Sequence, residues 1–199
     1  DGRHSDGEGN SLLTDLLVQE DGTSEELRLG KKYPEELYVV NTGAIDQYVR
    51  VTLYKYWLDA EGKKLPELSP GLIELHLINC GQEGSWIVDE ASATKERTVL
   101  YYRHVLKAAG EGVREEETRS DPLCDYLRID SSVADKVSQE VTEEGGYTTI
   151  TTTYLYDGAE FRIEAQVDAV QTHSAKDAIW SAWGREVEID GDGTLISVR

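Results

Sequence analysis

Residues 35–57 read EELYVVNTGAIDQYVRVTLYKYW, and their period decides the fold. Val49, Val51, Leu53 and Trp57 fall on one side of a two-residue repeat. Tyr48, Arg50, Thr52, Tyr54 and Tyr56 fall on the other. β-Branched and aromatic residues in this alternation favour a strand with both faces partly covered. Asn41-Thr42-Gly43 marks a turn, so a first strand is expected over 35–40. Residues 59–64, DAEGKK, turn the chain again.

The same period recurs on both sides. GLIELHLINCG (71–81) alternates, and SWIVDE (85–90) with TVLYYRHVL (98–106) reads as a strand pair. Residues 107–122 form a charged loop, and LCDYLRID (123–130) is a short strand. Residues 147–170 read as a hairpin turning at Asp157-Gly158, its first arm rich in threonine. In the second arm Phe161, Ile163, Ala165, Val167 and Ala169 share one face; Arg162, Glu164, Gln166 and Asp168 share the other. Many short strands parted by turns predict an all-β fold, a jelly-roll-like antiparallel β-sandwich.

After Val170 the period changes to about 3.6. Ser174 and Asp177 have capping-box spacing, Ile179, Trp180 and Trp183 form an apolar stripe, and Gly184 is a natural stop. A short helix is therefore expected near 174–183. Ser174 and Asp177 beside His173 are read as architecture rather than as a catalytic cluster.

Three stretches in order, NTGAIDQYVRVTLYKYW, LYYRHVLKAAGE and AQVDAVQTHSAKDAIWSAWG, resemble the TasA/camelysin family of secreted Gram-positive surface and biofilm-matrix proteins. The likeness covers about residues 25–184. It departs from the family pattern at Ala109, where proline is usual, and at Ser174, where asparagine is usual. The resemblance implies a jelly-roll-like sandwich, export, and a role at the cell surface or in an extracellular matrix. It also implies fibre assembly in which one subunit lends an N-terminal strand to the next.

Residues 1–10 are glycine-rich and charged and are expected to be a flexible leader. Residues 11–199 are expected to form one domain, with a core at about 25–184 and a C-terminal hairpin at about 185–199. The assembly segment would lie in SLLTDLLVQE (11–20), through Leu12, Leu13, Leu16, Leu17 and Val18. Its apolar spacing fits a helix or a strand, and both remain open. Its partners would be copies of itself or other matrix and cell-wall components.

The chain has 39 acidic against 20 basic residues, a net charge of −19. That charge repels nucleic-acid backbones and anionic lipid. No apolar run approaches the roughly 20 residues that span a bilayer, so no membrane insertion is expected. The sequence has no Met, which fits a processed, exported chain. It carries no L-P-x-T-G anchoring signal; LPELS (65–69) lacks the Thr-Gly and is read as a turn. Cys80 and Cys124, 44 positions apart, are a candidate disulfide worth about 4 kcal/mol on a loop-entropy argument. Two separate buried thiols are the alternative.

Camelysin-type members are described as metalloendopeptidases, which is the alternative function. A zinc protease would show H-E-x-x-H. His4, His76, His104 and His173 show none of it, so neither an enzyme nor a bound cofactor is expected. The tail EIDGDGTLISVR offers a calcium candidate in Asp190, Asp192 and Thr194. The closing position, however, holds Arg199 instead of glutamate, and a hairpin through DGDG fits better. A third reading is a glycan- or peptide-binding module that uses Trp57, Trp86 and tyrosines as platforms.

Overall fold

The computed structural model describes residues 10–12, 27–144 and 147–199. Its strands form antiparallel sheets in a sandwich-like all-β arrangement. The larger sheet has the spatial order β1 (Asn10–Leu12), β10 (Glu160–Gln171), β3 (Gln47–Leu58), β6 (Arg97–Tyr102), β5 (Trp86–Val88). A three-stranded sheet runs β2 (Lys32–Pro34), β7 (Cys124–Ile129), β4 (Ile73–Leu77). Two ribbons complete the strands: β8 (Val137–Glu144) with β9 (Tyr147–Tyr154), and β11 (Val187–Ile189) with β12 (Leu195–Val198). The α-helices among the described residues are α1 (Glu115–Thr118) and α2 (Ala175–Trp183).

The alternation in β3 is what lets it sit at the centre. Its inner side chains Val49, Val51 and Leu53 pack with Trp86, Leu100 and Tyr102 and, from the smaller sheet, Cys124. Trp57 and Ile163 meet Ile73, Leu127 and Ile129 in a second cluster between the sheets. Trp86 is fully buried, and its indole N–H donates to Asp121 O at 3.0 Å. Each such apolar side chain contributes about 1.5–3 kcal/mol by leaving water. The outer face is covered too: Tyr48, Val99, Tyr101 and Val170 pack against Ile179 and Trp183 of α2 and Leu195 of β12. A third layer thus covers part of the large sheet, as the two-sided alternation predicts.

Several local expectations need correcting. β10 does not fold back on β9. It pairs along its whole length with β3, from Glu160↔Leu58 to Gln171↔Gln47. The register explains the choice. Val167 faces Val51, Ala165 faces Leu53 and Phe161 faces Trp57, whereas Asp168 meets Arg50 and Gln166 meets Thr52. Apolar side chains then share one face and polar ones the other. The threonine arm β9 pairs instead with β8, a polar strand whose period carries little apolar signal.

Residues 35–40 are not a regular strand. They are held beside 118–125 by Glu35 N→Asp125 O, Ser120 N→Val39 O and Leu123 N→Leu37 O bonds. The charged loop at 107–122 contains α1. At α2, Ser174 adopts a left-handed backbone (φ 50°) and makes no capping bond, so the capping box is not formed. Gly184, also left-handed, ends the helix as expected. Trp180 is 58% exposed and lies outside the buried stripe of Ile179 and Trp183.

Candidate functional site

Two features stand out: a basic cleft on the outer face of the large sheet, and the outer edge of β10. Register builds the cleft. Across β10, β3 and β6, three rows run Asp168–Arg50–Tyr101, Gln166–Thr52–Val99 and Glu164–Tyr54–Arg97. The middle row forms a low floor between the longer rows. Trp183 at the end of α2, Arg185 just beyond it and Ser92 from the β5–β6 connection close the sides. The resulting cleft is open to solvent on one side and has a volume of about 190 Å³.

Three guanidinium groups line this space in a protein of net charge −19. Arg50 bonds Asp168 across the strand pair through Nε (3.1 Å) and Nη2 (2.7 Å), and stacks 5.5 Å from the Trp183 ring. Arg185 contacts Asp89 at 3.0 Å and the Ser92 hydroxyl. Burial opposes ionisation of Asp89, but the Ser92 hydroxyl and amide and the Arg185 guanidinium hold it below the usual carboxylate range. The Tyr101 hydroxyl and Asp89 together hold Arg185 above its ordinary value. Arg97 donates Nε (3.1 Å) and Nη2 (2.8 Å) to Ser92 O, and among the described residues no carboxylate pairs with it. Asp89 Oδ2 is buried with the Arg185 guanidinium 3.0 Å away as its partner, whereas Trp183 Nε1 is buried without a hydrogen bond. Native interiors leave few polar atoms in that state.

The edge of β10 is the second feature. The strand has twelve residues, and β1 pairs with three of them: Asn10↔Gln166, Ser11↔Ala165, Leu12↔Glu164. Among the described residues, nine positions of β10 have no strand on that side. At the opposite end of the sheet, β5 has only three residues.

The other sequence candidates are placed as follows. Leu12 lies in β1; Leu13, Leu16, Leu17, Val18 and His4 lie outside the described residues. Cys80 and Cys124 are free thiols, not a disulfide. Cys80 Sγ donates to Ile78 O and Cys124 Sγ to Glu35 O, so each thiol is turned to its own carbonyl. Burial pushes the Cys124 thiol up to about 12 and raises Cys80 as well, which leaves neither as a ready thiolate.

Asp190 is used by its own turn: Oδ1 accepts from Asp192 N (2.9 Å) and Thr194 N (2.8 Å). That bonding explains Asp190 without calcium, and β11 and β12 form the expected hairpin. His76 is exposed, stacked on Tyr126 with ring centroids 4.5 Å apart, and its Nδ1 lies 2.7 Å from Asp125 Oδ1. His104 is exposed beside Tyr102, and His173 is exposed before α2. Among the described residues no three His, Cys, Asp or Glu side chains are grouped to hold a metal ion. Trp57 and Trp86 are buried and present no platform.

The cleft was not anticipated. Arg50, Arg97 and Arg185 are far apart in sequence and follow no motif. The one usable signal was Arg50, an arginine in the polar half of an alternating strand of an acidic chain. No family model, curated protein or solved structure matches this chain.

Proposed function

We propose that this chain is a structural subunit of the TasA/camelysin type. It would be exported by a Gram-positive bacterium to the cell surface or an extracellular matrix and join other copies by N-terminal strand donation. The observation that carries this reading is the edge of β10, a twelve-residue strand with a three-residue partner. A long unpaired edge is a template for another strand, and soluble proteins normally blunt such edges. Here the strand that covers it comes from the N-terminus of the same chain. Three pairs hold it weakly. The same main-chain bonding made in trans satisfies the same groups and leaves the domain core unchanged. A short in-chain contact is thus easily exchanged for an intermolecular one.

The charge of −19 sets the condition for assembly, because like-charged subunits repel until acid or salt reduces the field. The reading is of a protein that builds and binds rather than one that catalyses. Negative-stain electron microscopy of the full chain and of a chain lacking residues 1–20, both at neutral and acid pH, tests it. Fibres that form only with residues 1–20 present support it. Monomers under every condition, or fibres that form equally well without those residues, refute it.

A further inference from the structure

We infer that the cleft lined by Arg50, Arg97 and Arg185 is a binding site for a small organic carboxylate. The inference is independent of strand donation, since the cleft is built from one chain.

Charge sets the class of ligand. Arg50 and Arg185 are matched by Asp168 and Asp89, and Arg97 is left in surplus. Glu164, at the end of one row, does not line the cleft and accepts the Tyr56 hydroxyl at 2.5 Å. A monoanion therefore completes the balance, whereas a dianion would face two resident carboxylates. A guanidinium fork matches the geometry of a carboxylate. Arg97 is held in place by its bonds to Ser92 O, so little side-chain freedom remains to be lost on binding.

Size and lining narrow the class. About 190 Å³ falls below the usual range for drug-sized ligands, and the cleft is open to solvent on one side. Thr52, Gln166 and Ser92 give hydroxyl and amide partners, whereas Val99, Tyr101 and Trp183 are almost wholly buried, so the exposed lining is mainly polar. Sulfate, a dianion, would leave one charge unmatched by the single surplus guanidinium. Trp183, which lines the same space, keeps its indole N–H buried without a partner, so the bonding at this site is incomplete.

The test is a titration of the ¹⁵N-labelled full chain with acetate, glutamate, glucuronate and, for comparison, sulfate, at constant ionic strength. Four indole N–H signals report the four tryptophans. The expected result is a saturable shift of the Trp183 indole with one or more carboxylates, at a dissociation constant of about 1 mM or tighter. Arg97→Gln should weaken that binding about tenfold or more, as loss of a charge-assisted bond requires. Arg97→Lys should weaken it less, and Arg162→Gln, on the same face outside the cleft, should leave it unchanged. Unsaturable shifts with every carboxylate overturn the inference. So does equal affinity in Arg97→Gln, or sulfate binding as tightly as the best carboxylate.

Discussion

Arg103 offers the sharpest test of how the outer layer is held. It lies one residue beyond β6, and its guanidinium reaches five carbonyl oxygens. Nε donates to Gly84 O (2.7 Å), Nη1 to Leu195 O (3.1 Å) and Ile196 O (2.9 Å), and Nη2 to Gly81 O (3.1 Å) and Gln82 O (3.3 Å). Main-chain bonds reinforce it, from Arg103 N to Ser85 O and from Leu195 N to Arg103 O. One side chain therefore ties the 81–84 loop to β12. Arg103→Met keeps most of the aliphatic stem and removes the donors. The bonds to Gly84 and Leu195 are partly buried and the other three are exposed. Counting the two partly buried bonds at about 1.5 kcal/mol each and the exposed ones near zero gives a loss of about 3 kcal/mol. For a chain of this length that is a fall in Tm of about 6–12 °C. Arg103→Lys should recover a minor part, because one ammonium cannot span acceptors on two segments. Urea unfolding measures the total, and amide hydrogen exchange should show the β11–β12 ribbon loosening first. A loss below about 0.5 kcal/mol with unchanged protection of that ribbon would refute the reasoning.

Three further outcomes follow from single residues. A Cβ at Gly84 would stand 2.3 Å from Asn79 O, so Gly84→Ala must displace the backbone before β5 and should cost about 2–3 kcal/mol in urea unfolding. Burial raises the Glu35 carboxyl from 4.5 to about 7. The folded state then binds the proton more tightly than the unfolded one, and Glu35 lowers stability as pH rises from about 4.5 to 7. After discounting for its half-exposed position, Glu35→Gln should stabilise the protein by about 1–2 kcal/mol at pH 8 and by almost nothing at pH 4, as read by unfolding at both pH values. Trp180→Ser should change stability by under about 0.5 kcal/mol, whereas Trp183→Ala, at 8% exposure, should cost about 3 kcal/mol or more; thermal melts separate the two.

The fold was legible where burial on two faces wrote a two-residue period into the chain. β3, β6 and the second arm of the 147–170 stretch carry that mark, and the large sheet is built from them. Pairing was less legible. Proximity in sequence favoured β9 as the partner of β10, but a threonine-rich arm offers no apolar face to match Ile163 and Val167, and β3 does. β8 was invisible because a solvated ribbon has no buried side to set a period; its Val137 and Val141 are 41% and 59% exposed. Spacing alone proposed the Ser174 cap, and the left-handed backbone there forbids it. The cleft lay beyond reach for another reason. Its three arginines meet only through strand register and the end of α2, and neither is written in local spacing.

The central claim is that the β10 edge accepts the N-terminal segment from another molecule. Its most direct test uses a chain lacking residues 1–20 and a synthetic peptide of residues 5–20, followed by amide hydrogen exchange with and without the peptide. Saturable binding that adds protection along Glu160–Gln171, beyond the three positions paired by β1, is the result expected. Absence of binding, or protection that appears away from β10, would contradict the account.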